Sequence, residues 1–403
     1  MEQPLLFALV RAIEVISGPH KSLQPVERHL KSPQASTAGW KPQKIPKTLY
    51  SSRSANHFGK LRRDLPFSPT GADPPHFSRL NPNMRKLRYF PPNSLVEVTT
   101  RTLQSRYLLP PTKHFARIAV GILARAQERA PIRIHAIGGL QTHIHLLATI
   151  DDAEQLTLFM EYANGNIARE AGRIVDWRQK FWGRRYAALP VSDEEAAQVD
   201  RLRYVISHGA KENLVTSPRL WPGLHCVDAL IDGKPLEGIW YDRSAEYEAD
   251  RRGKDVDPRA FLAEYSLELE PLPCWRHLPA QEYRQRVAEM VHDIEVETAR
   301  RIFLSGKVPL GAEAIRRQPP HQQANRPKKS PAPFCHAASK AVRKQLREAY
   351  RLFVEAYREA SAQLRSGNRH ARFPEGCFPP ALPFVRNDAR LQSCRDGPRL
   401  VAD

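Results

Sequence analysis

Cysteine is scarce. The five residues Cys226, Cys274, Cys335, Cys377 and Cys394 are scattered over 403 positions, and none forms Cys-x-x-Cys. That spacing excludes a zinc knuckle and a dithiol redox pair, and an odd, dispersed set fits a reducing, cytoplasmic setting. Long hydrophobic runs are also lacking. The apolar stretch Pro4–Ile16 is broken by Arg11 and Glu14, carries Glu2 where a signal peptide has Lys or Arg, and is followed by no small-x-small cleavage pattern. Neither a signal peptide nor a membrane span is expected, and no membrane partner. No internal repeat is seen. Acidic residues fall well short of basic ones, 43 Asp and Glu against 62 Lys and Arg, for a formal net charge of +19. The expected partner is a polyanion, with nucleic acid ahead of a lipid surface because no basic amphipathic anchor stands out.

The charge is unevenly spread. Residues 17–93 hold 14 basic residues against Glu27, Asp64 and Asp73, and are dense in Pro and Ser. With no period of 2 or 3.6, such a segment buries too little apolar surface to offset its ordering entropy, so 1–93 is read as a mostly disordered basic segment. Met84, in NPNMRKLRYFPPN, is read as an alternative start to Met1; the rival reading of the segment is a basic DNA-binding arm. Residues 94–403 remain basic, with 47 Lys and Arg against 38 Asp and Glu.

From residue 94 the pattern is globular. SLVEVTTRTL alternates as a strand with Val96 and Val98 on one face. TKHFARIAVGILARAQERA is an amphipathic helix, with Thr112 as its N-cap. IRIHAIGGL and HIHLLATI are two strands joined by a short turn. DAEQLTLFMEYANGNIAREAGRIVDW is a long helix, and a strand near RRYAALPV completes β-α-β-β-α-β. That order predicts an α+β, ferredoxin-like antiparallel sheet with helices on one face, over residues 94–225. Residues 226–403 read as a largely helical C-terminal extension. It contains a hairpin around Asp232-Gly233, helices near 280–305 and 337–366, and a linker at 318–333, QPPHQQANRPKKSPAP.

His143 and His145 are two residues apart on a strand, so both leave the same face, while Ile144, Leu146, Ala148 and Ile150 take the other. Two imidazoles so placed can share a cation, although in a chain with 15 histidines one His-x-His arises often by chance. Context comes from the next helix. Leu156, Phe159, Met160, Ala163, Ile167 and Ile174 form its apolar stripe, and Tyr162, Asn166, Arg169 and Arg173 run along its edge. A helix packed on the histidine face would bring the Asn166 amide to the metal as a third ligand, Tyr162 beside it, and the arginines to phosphates. Trp177, Phe181 and Trp182, among Arg178, Lys180, Arg184 and Arg185, either stack bases between phosphate contacts or pack the helix end. His225, Cys226, Cys335 and His336 do not have the spacing of a zinc motif.

These residues resemble a known family. Histidine, hydrophobe, histidine on a ferredoxin-like strand is similar to the HUH single-strand nucleases. The later Tyr-x-x-x-Asn narrows the resemblance to the single-tyrosine HUH transposases, including the REP-associated tyrosine transposases. VTTRT, KFWGRRY and LRYVISHGAKENLV…LWPG are further similar segments, and the likeness spans about residues 94–225. It implies metal binding by His143 and His145, with Asn166 third, and Tyr162 as nucleophile. It also implies cleavage of single-stranded or hairpin DNA through a 5′-phosphotyrosine and a free 3′-OH. The SHG at 207–209 replaces the Asn-Pro usual in the family's downstream helix. Tyr186 and Tyr204 rank below Tyr162, since neither shares a helix face with an amide.

The sequence reading is thus a metal-dependent single-strand DNA endonuclease and strand transferase. Its cofactor is Mg²⁺ or Mn²⁺, its partner single-stranded or hairpin DNA, and a homodimer is compatible with it. Two rivals remain: an inactive DNA-binding protein on the same fold, and an RNA-binding ferredoxin-like module, against which the lack of stacking aromatics on the strands counts.

Overall fold

A computed structural model describes residues 87–253, 256–324 and 333–377. Most of the basic segment 1–93, Met84 and part of the 318–333 linker lie outside the described residues. Four strands form the main sheet: β1 (Ser94–Arg101), β2 (Arg133–Leu140), β3 (His143–Ile150) and β4 (Ala187–Val191). Their order is β2-β3-β1-β4, and every pairing is antiparallel. Two helices connect them, α1 (Lys113–Arg129) between β1 and β2, and α2 (Ala153–Ile174) between β3 and β4. This is the β-α-β-β-α-β order that the hydrophobic periods predict. Thr112 caps α1, its hydroxyl accepting from the Phe115 amide at 3.2 Å, and Asp152 caps α2 through the Gln155 amide at 2.8 Å.

Alternation sets the two faces. Thr100, Val98 and Val96 pair with Ile144, Leu146 and Ala148, whereas Arg101 and Thr99 pair with His143 and His145. Helices α1 and α2 pack on each other, and Phe115 of α1 lines one small cavity with Ile144. Both crossover helices therefore belong to the Ile144 face. The histidine face is covered by α3 (Glu195–Ile206), which packs on β2 and β3. Every residue of β3 is buried in consequence, a strand closed on both faces.

Leu230 does not begin a hairpin strand. Val227–Asp232 is a short helix, α4, ended by Gly233 in the left-handed region at φ 66°, where glycine carries no steric penalty. The Asp-Gly pair that suggests a hairpin turn serves here as a helix stop. The hairpin lies beyond it, joining β5 (Leu236–Tyr241) to β6 (Leu262–Leu267) across α5 (Arg243–Arg251). It packs on α1 backbone to backbone. A Cβ at Gly121 would sit 2.2 Å from the Ile239 carbonyl oxygen. Gly121→Ala must force the two backbones apart, and a loss of roughly 2 kcal/mol or more is expected, read from urea unfolding. An unchanged midpoint would disprove that contact.

The rest of the extension is helical: α6 (Ala280–Ser305), α7 (Ala312–Arg316) and α8 (Lys340–Arg365). Helix α6 buries Tyr283, Val287, Met290, Val291 and Ile294 and packs on α4 and α3. On α8, Phe353 stacks on Tyr89 with centroids 4.4 Å apart, and the Tyr350 hydroxyl donates to the Leu87 carbonyl at 3.1 Å.

Two core histidines make stability pH-dependent. His135 is fully buried, its Nε2 2.7 Å from the Thr149 hydroxyl and its Nδ1 3.0 Å from the Glu270 carbonyl. Burial lowers His135 and His225 to about 4 from an ordinary 6.5. Between those values the unfolded chain takes up the proton and the folded chain does not, so stability is lost as pH falls through that window. Each group accounts for about 3 kcal/mol. Urea unfolding at about pH 7 and about pH 4.5 should show the fall, and His135→Gln should remove its share.

Candidate metal centre and nucleophile

His143 and His145 are 8% and 4% exposed, their ring centroids 4.9 Å apart. A third imidazole meets them. His208 lies 5.6 Å from the His143 ring and 4.4 Å from the His145 ring. One nitrogen of each lies within 4.8 Å of the others. Among the described residues this is the one such group of three possible ligands.

Each ring has its Nδ1 engaged. His145 Nδ1 is 2.9 Å from Glu97 Oε1 and 3.1 Å from the Thr99 hydroxyl. His143 Nδ1 is 2.7 Å from the Thr142 hydroxyl. His208 Nδ1 faces the Tyr204 and Val205 carbonyls at 2.8 and 3.1 Å, capping α3 where its last carbonyls need donors. A carboxylate or carbonyl on Nδ1 places the proton there and leaves Nε2 as a lone-pair donor. His145 Nε2 is buried with no hydrogen-bond partner among the described residues. Such an orphan calls for an ion or a water, so the donor set fits a bound cation. Burial, followed by the neighbouring His145, depresses both His143 and His208, the latter to about 2. Both rings are therefore neutral, the state a metal requires. Burial would raise the Glu97 carboxyl, but its contacts with His145 and His336 outweigh that and hold it well below the usual carboxylate range.

Tyr204 stands beside this cluster. Its ring centroid is 5.4 Å from that of His145 and 4.9 Å from that of His208. It precedes His208 by four residues, so one turn carries both toward the sheet. The ring lies between cations, with Lys211 Nζ at 3.5 Å and the Arg201 guanidinium at 4.7 Å from its centroid. Burial raises the phenol above its ordinary value, with Glu97 and Glu212 adding to the shift and Arg201 and Arg101 opposing it.

The sequence-predicted third ligand and nucleophile are elsewhere. The Tyr162 hydroxyl accepts from Arg125 Nε at 3.1 Å, Arg129 covers its ring at 4.4 Å, and Trp240 of β5 lies 6.2 Å away. The Asn166 amide donates to the Tyr162 carbonyl at 2.8 Å and accepts from Arg169 at 3.2 Å, so both its ends are used within α2. The physical reason is topological. Helix α2 is a crossover helix and lies with α1 on the face opposite the histidines. His208 and Tyr204 take the places foreseen for Asn166 and Tyr162, with the same four-residue spacing. SHG at 207–209 was the signal: an imidazole stands where an amide was sought.

The basic residues divide. Arg173 pairs with Glu170, which Arg243 also meets at 3.0 Å, and Arg178 is 3.4 Å from Asp176. Lys180, Arg184 and Arg185 are exposed. Arg101, opposite His143 in the sheet, is lowered by burial, raised by Tyr204 and lowered by Arg184, so these groups share one electrostatic neighbourhood. Phe181 is buried and the Trp182 indole donates to the Asn164 carbonyl at 2.9 Å. Both are packing residues rather than free stacking platforms. Trp177 is half-buried, edge-on to His321 at 5.3 Å. With β3 closed on both faces, that strand offers no open surface to RNA bases.

Residues 111–207 match the family described as "Transposase IS200 like". That stretch of the chain is thus similar to the IS200-like transposases. Among solved structures, the chain is similar to that of a REP-associated tyrosine transposase bound to a REP hairpin. The identity is 14%, over 37% of this chain and 86% of that one, with a TM-score of 0.31. It is also similar to a crystal structure from Deinococcus radiodurans R1 assigned as a transposase, at 18% identity over 29% and 94% of the two chains, with a TM-score of 0.20. No curated protein matches the chain. Among the described residues, no helix is long and apolar enough to cross a membrane.

Proposed function

We propose that this chain cuts single-stranded or hairpin DNA by attack of the Tyr204 hydroxyl on a backbone phosphate, beside a divalent cation held by His143, His145 and His208. The observation that carries the reading is the placement of a half-buried phenol against three converging imidazoles, one of which has an unpartnered buried Nε2. The family match agrees with it. Three nitrogen ligands favour Mn²⁺ over Mg²⁺, which prefers oxygen.

The phenol loses its proton and its oxygen forms a bond to phosphorus. The bond from phosphorus to the 3′-oxygen breaks, and that oxygen takes up a proton. The products are a 5′-phosphotyrosine and a free 3′-OH, and the phosphodiester energy is kept for rejoining. A bound divalent cation supplies the charge that offsets repulsion between a phenolate and an anionic phosphodiester. Lys211 and Arg201, over the Tyr204 ring, favour its ionised form. Arg101 and the exposed Arg184 are placed to take the neighbouring phosphates.

The test is incubation of the full chain with hairpin-bearing single-stranded DNA and Mn²⁺. A covalent protein–DNA adduct that survives denaturant is the expected product. Tight DNA binding without an adduct would overturn cleavage and leave a DNA-binding protein. Preference for RNA would overturn the DNA reading as well.

A further inference from the structure

The family match ends at residue 207, yet a residue far beyond it reaches the metal centre. Glu97, 4% exposed, uses Oε1 for His145 Nδ1 at 2.9 Å. Its Oε2 meets Arg201 Nη1 at 3.4 Å and His336 Nε2 at 2.9 Å, the latter off the line of a straight hydrogen bond. His336 belongs to a strap that runs beside β4. Its amide donates to the Pro190 carbonyl at 2.9 Å and its carbonyl accepts from the Ser192 amide at 2.8 Å, a parallel bridge opposite Val191. The amides of Ala338 and Ser339 donate to the Glu194 carboxylate at 2.8 and 3.0 Å. Ser339 then caps α8 through the Val342 amide at 3.1 Å. The backbone on both sides of His336 is thus anchored, and only the side chain projects to Glu97.

We propose that His336 is a positioning residue of the metal centre: the C-terminal extension clamps it at the sheet edge, where it fixes the Glu97 carboxylate and, through it, the ring of His145. The inference rests on the metal reading of the three histidines. The terminal torsion of a glutamate is soft. Arg201 Nη1 donates to Oε2 only at 3.4 Å, a long contact that holds the carboxylate plane weakly. The imidazole against Oε2, an ion-pair contact at 2.9 Å, restricts that rotation. With both oxygens engaged the carboxylate plane is set, and the His145 Nδ1–H that it accepts sets where Nε2 points. Outer partners of metal-bound histidines typically contribute 10–100-fold to metal affinity. The extension is therefore a structural part of the site rather than an appended domain.

The test is titration of the full-length protein with Mn²⁺ alone, followed by calorimetry, for the wild type, His336→Ala, His336→Leu and His336→Gln. Expected is a loss of about 10–100-fold in Mn²⁺ affinity for the alanine and leucine variants. His336→Gln, which keeps a donor of similar reach, should stay within about three-fold of wild type. Leucine retains bulk, so its loss separates polar positioning from packing. Wild-type affinity in His336→Ala and His336→Leu would overturn the inference and leave the metal reading intact. Equal weakness in His336→Gln and His336→Ala would overturn it too, by assigning the effect to packing. If the wild type and His143→Ala both ignore Mn²⁺, the metal reading itself is overturned, and this inference with it.

Discussion

Tyr204→Phe is expected to abolish the covalent DNA adduct, while Tyr162→Phe leaves it within about three-fold of wild type. The first removes the phenol oxygen proposed to bond to phosphorus. Among the described residues the other hydroxyls at the cluster, those of Thr99 and Thr142, are engaged with the Nδ1 atoms of His145 and His143, so the drop should be on the order of 10³-fold or more. Because a phenyl ring keeps the contacts with His145 and His208, the fold should hold and DNA binding should persist. Tyr162→Phe instead deletes a hydrogen bond from Arg125, worth about 1 kcal/mol of stability. Adduct yield on denaturing gels separates the two. A variant pair behaving the opposite way would return the nucleophile to α2 and refute the site as drawn.

The second large effect belongs to His208. His208→Ala should lower Mn²⁺ affinity by more than the loss of an outer partner does, on the order of 10³-fold, and adduct formation should fall with it. His208→Gln, which restores an amide oxygen to a turn where the family's usual residue is Asn, should lie between wild type and alanine. Part of the alanine phenotype is structural. His208 Nδ1 caps the Tyr204 and Val205 carbonyls, and losing that cap costs about 1 kcal/mol. Metal titration of folded protein, with melting curves alongside, resolves the two contributions. Mn²⁺ affinity unchanged in His208→Ala would mean that the third ligand is not this imidazole.

The sheet was legible because its signals are local. Alternation in SLVEVTTR and HIHLLATI sets which side chains share a face, and the period of TKHFARIAVGILARAQERA sets the buried stripe of a helix. The pairing of His143 with His145 on one face follows from strand geometry alone. The ligand and nucleophile on the next element do not. Both Tyr162–Asn166 and Tyr204–His208 show two polar groups four apart on a helix, and periodicity cannot say which helix lies over the imidazoles. Preferring an amide selected Tyr162–Asn166, whereas the pair beside the imidazoles is Tyr204–His208. Glu97 was also hidden, since a charged residue on an alternating strand ordinarily reads as solvated, whereas here α3 and the strap around His336 bury it.

The chain by itself determined the strand and helix order, the cap at Thr112, and the two histidines on one face, because each depends on neighbours within a few residues. Only the tertiary structure decided that α2 lies away from the histidines and α3 against them, that His208 completes the cluster, and that His336 reaches Glu97. Those contacts join positions far apart in the chain, and the side of a sheet on which a helix packs is set by chain crossover and by competition among whole elements for one surface.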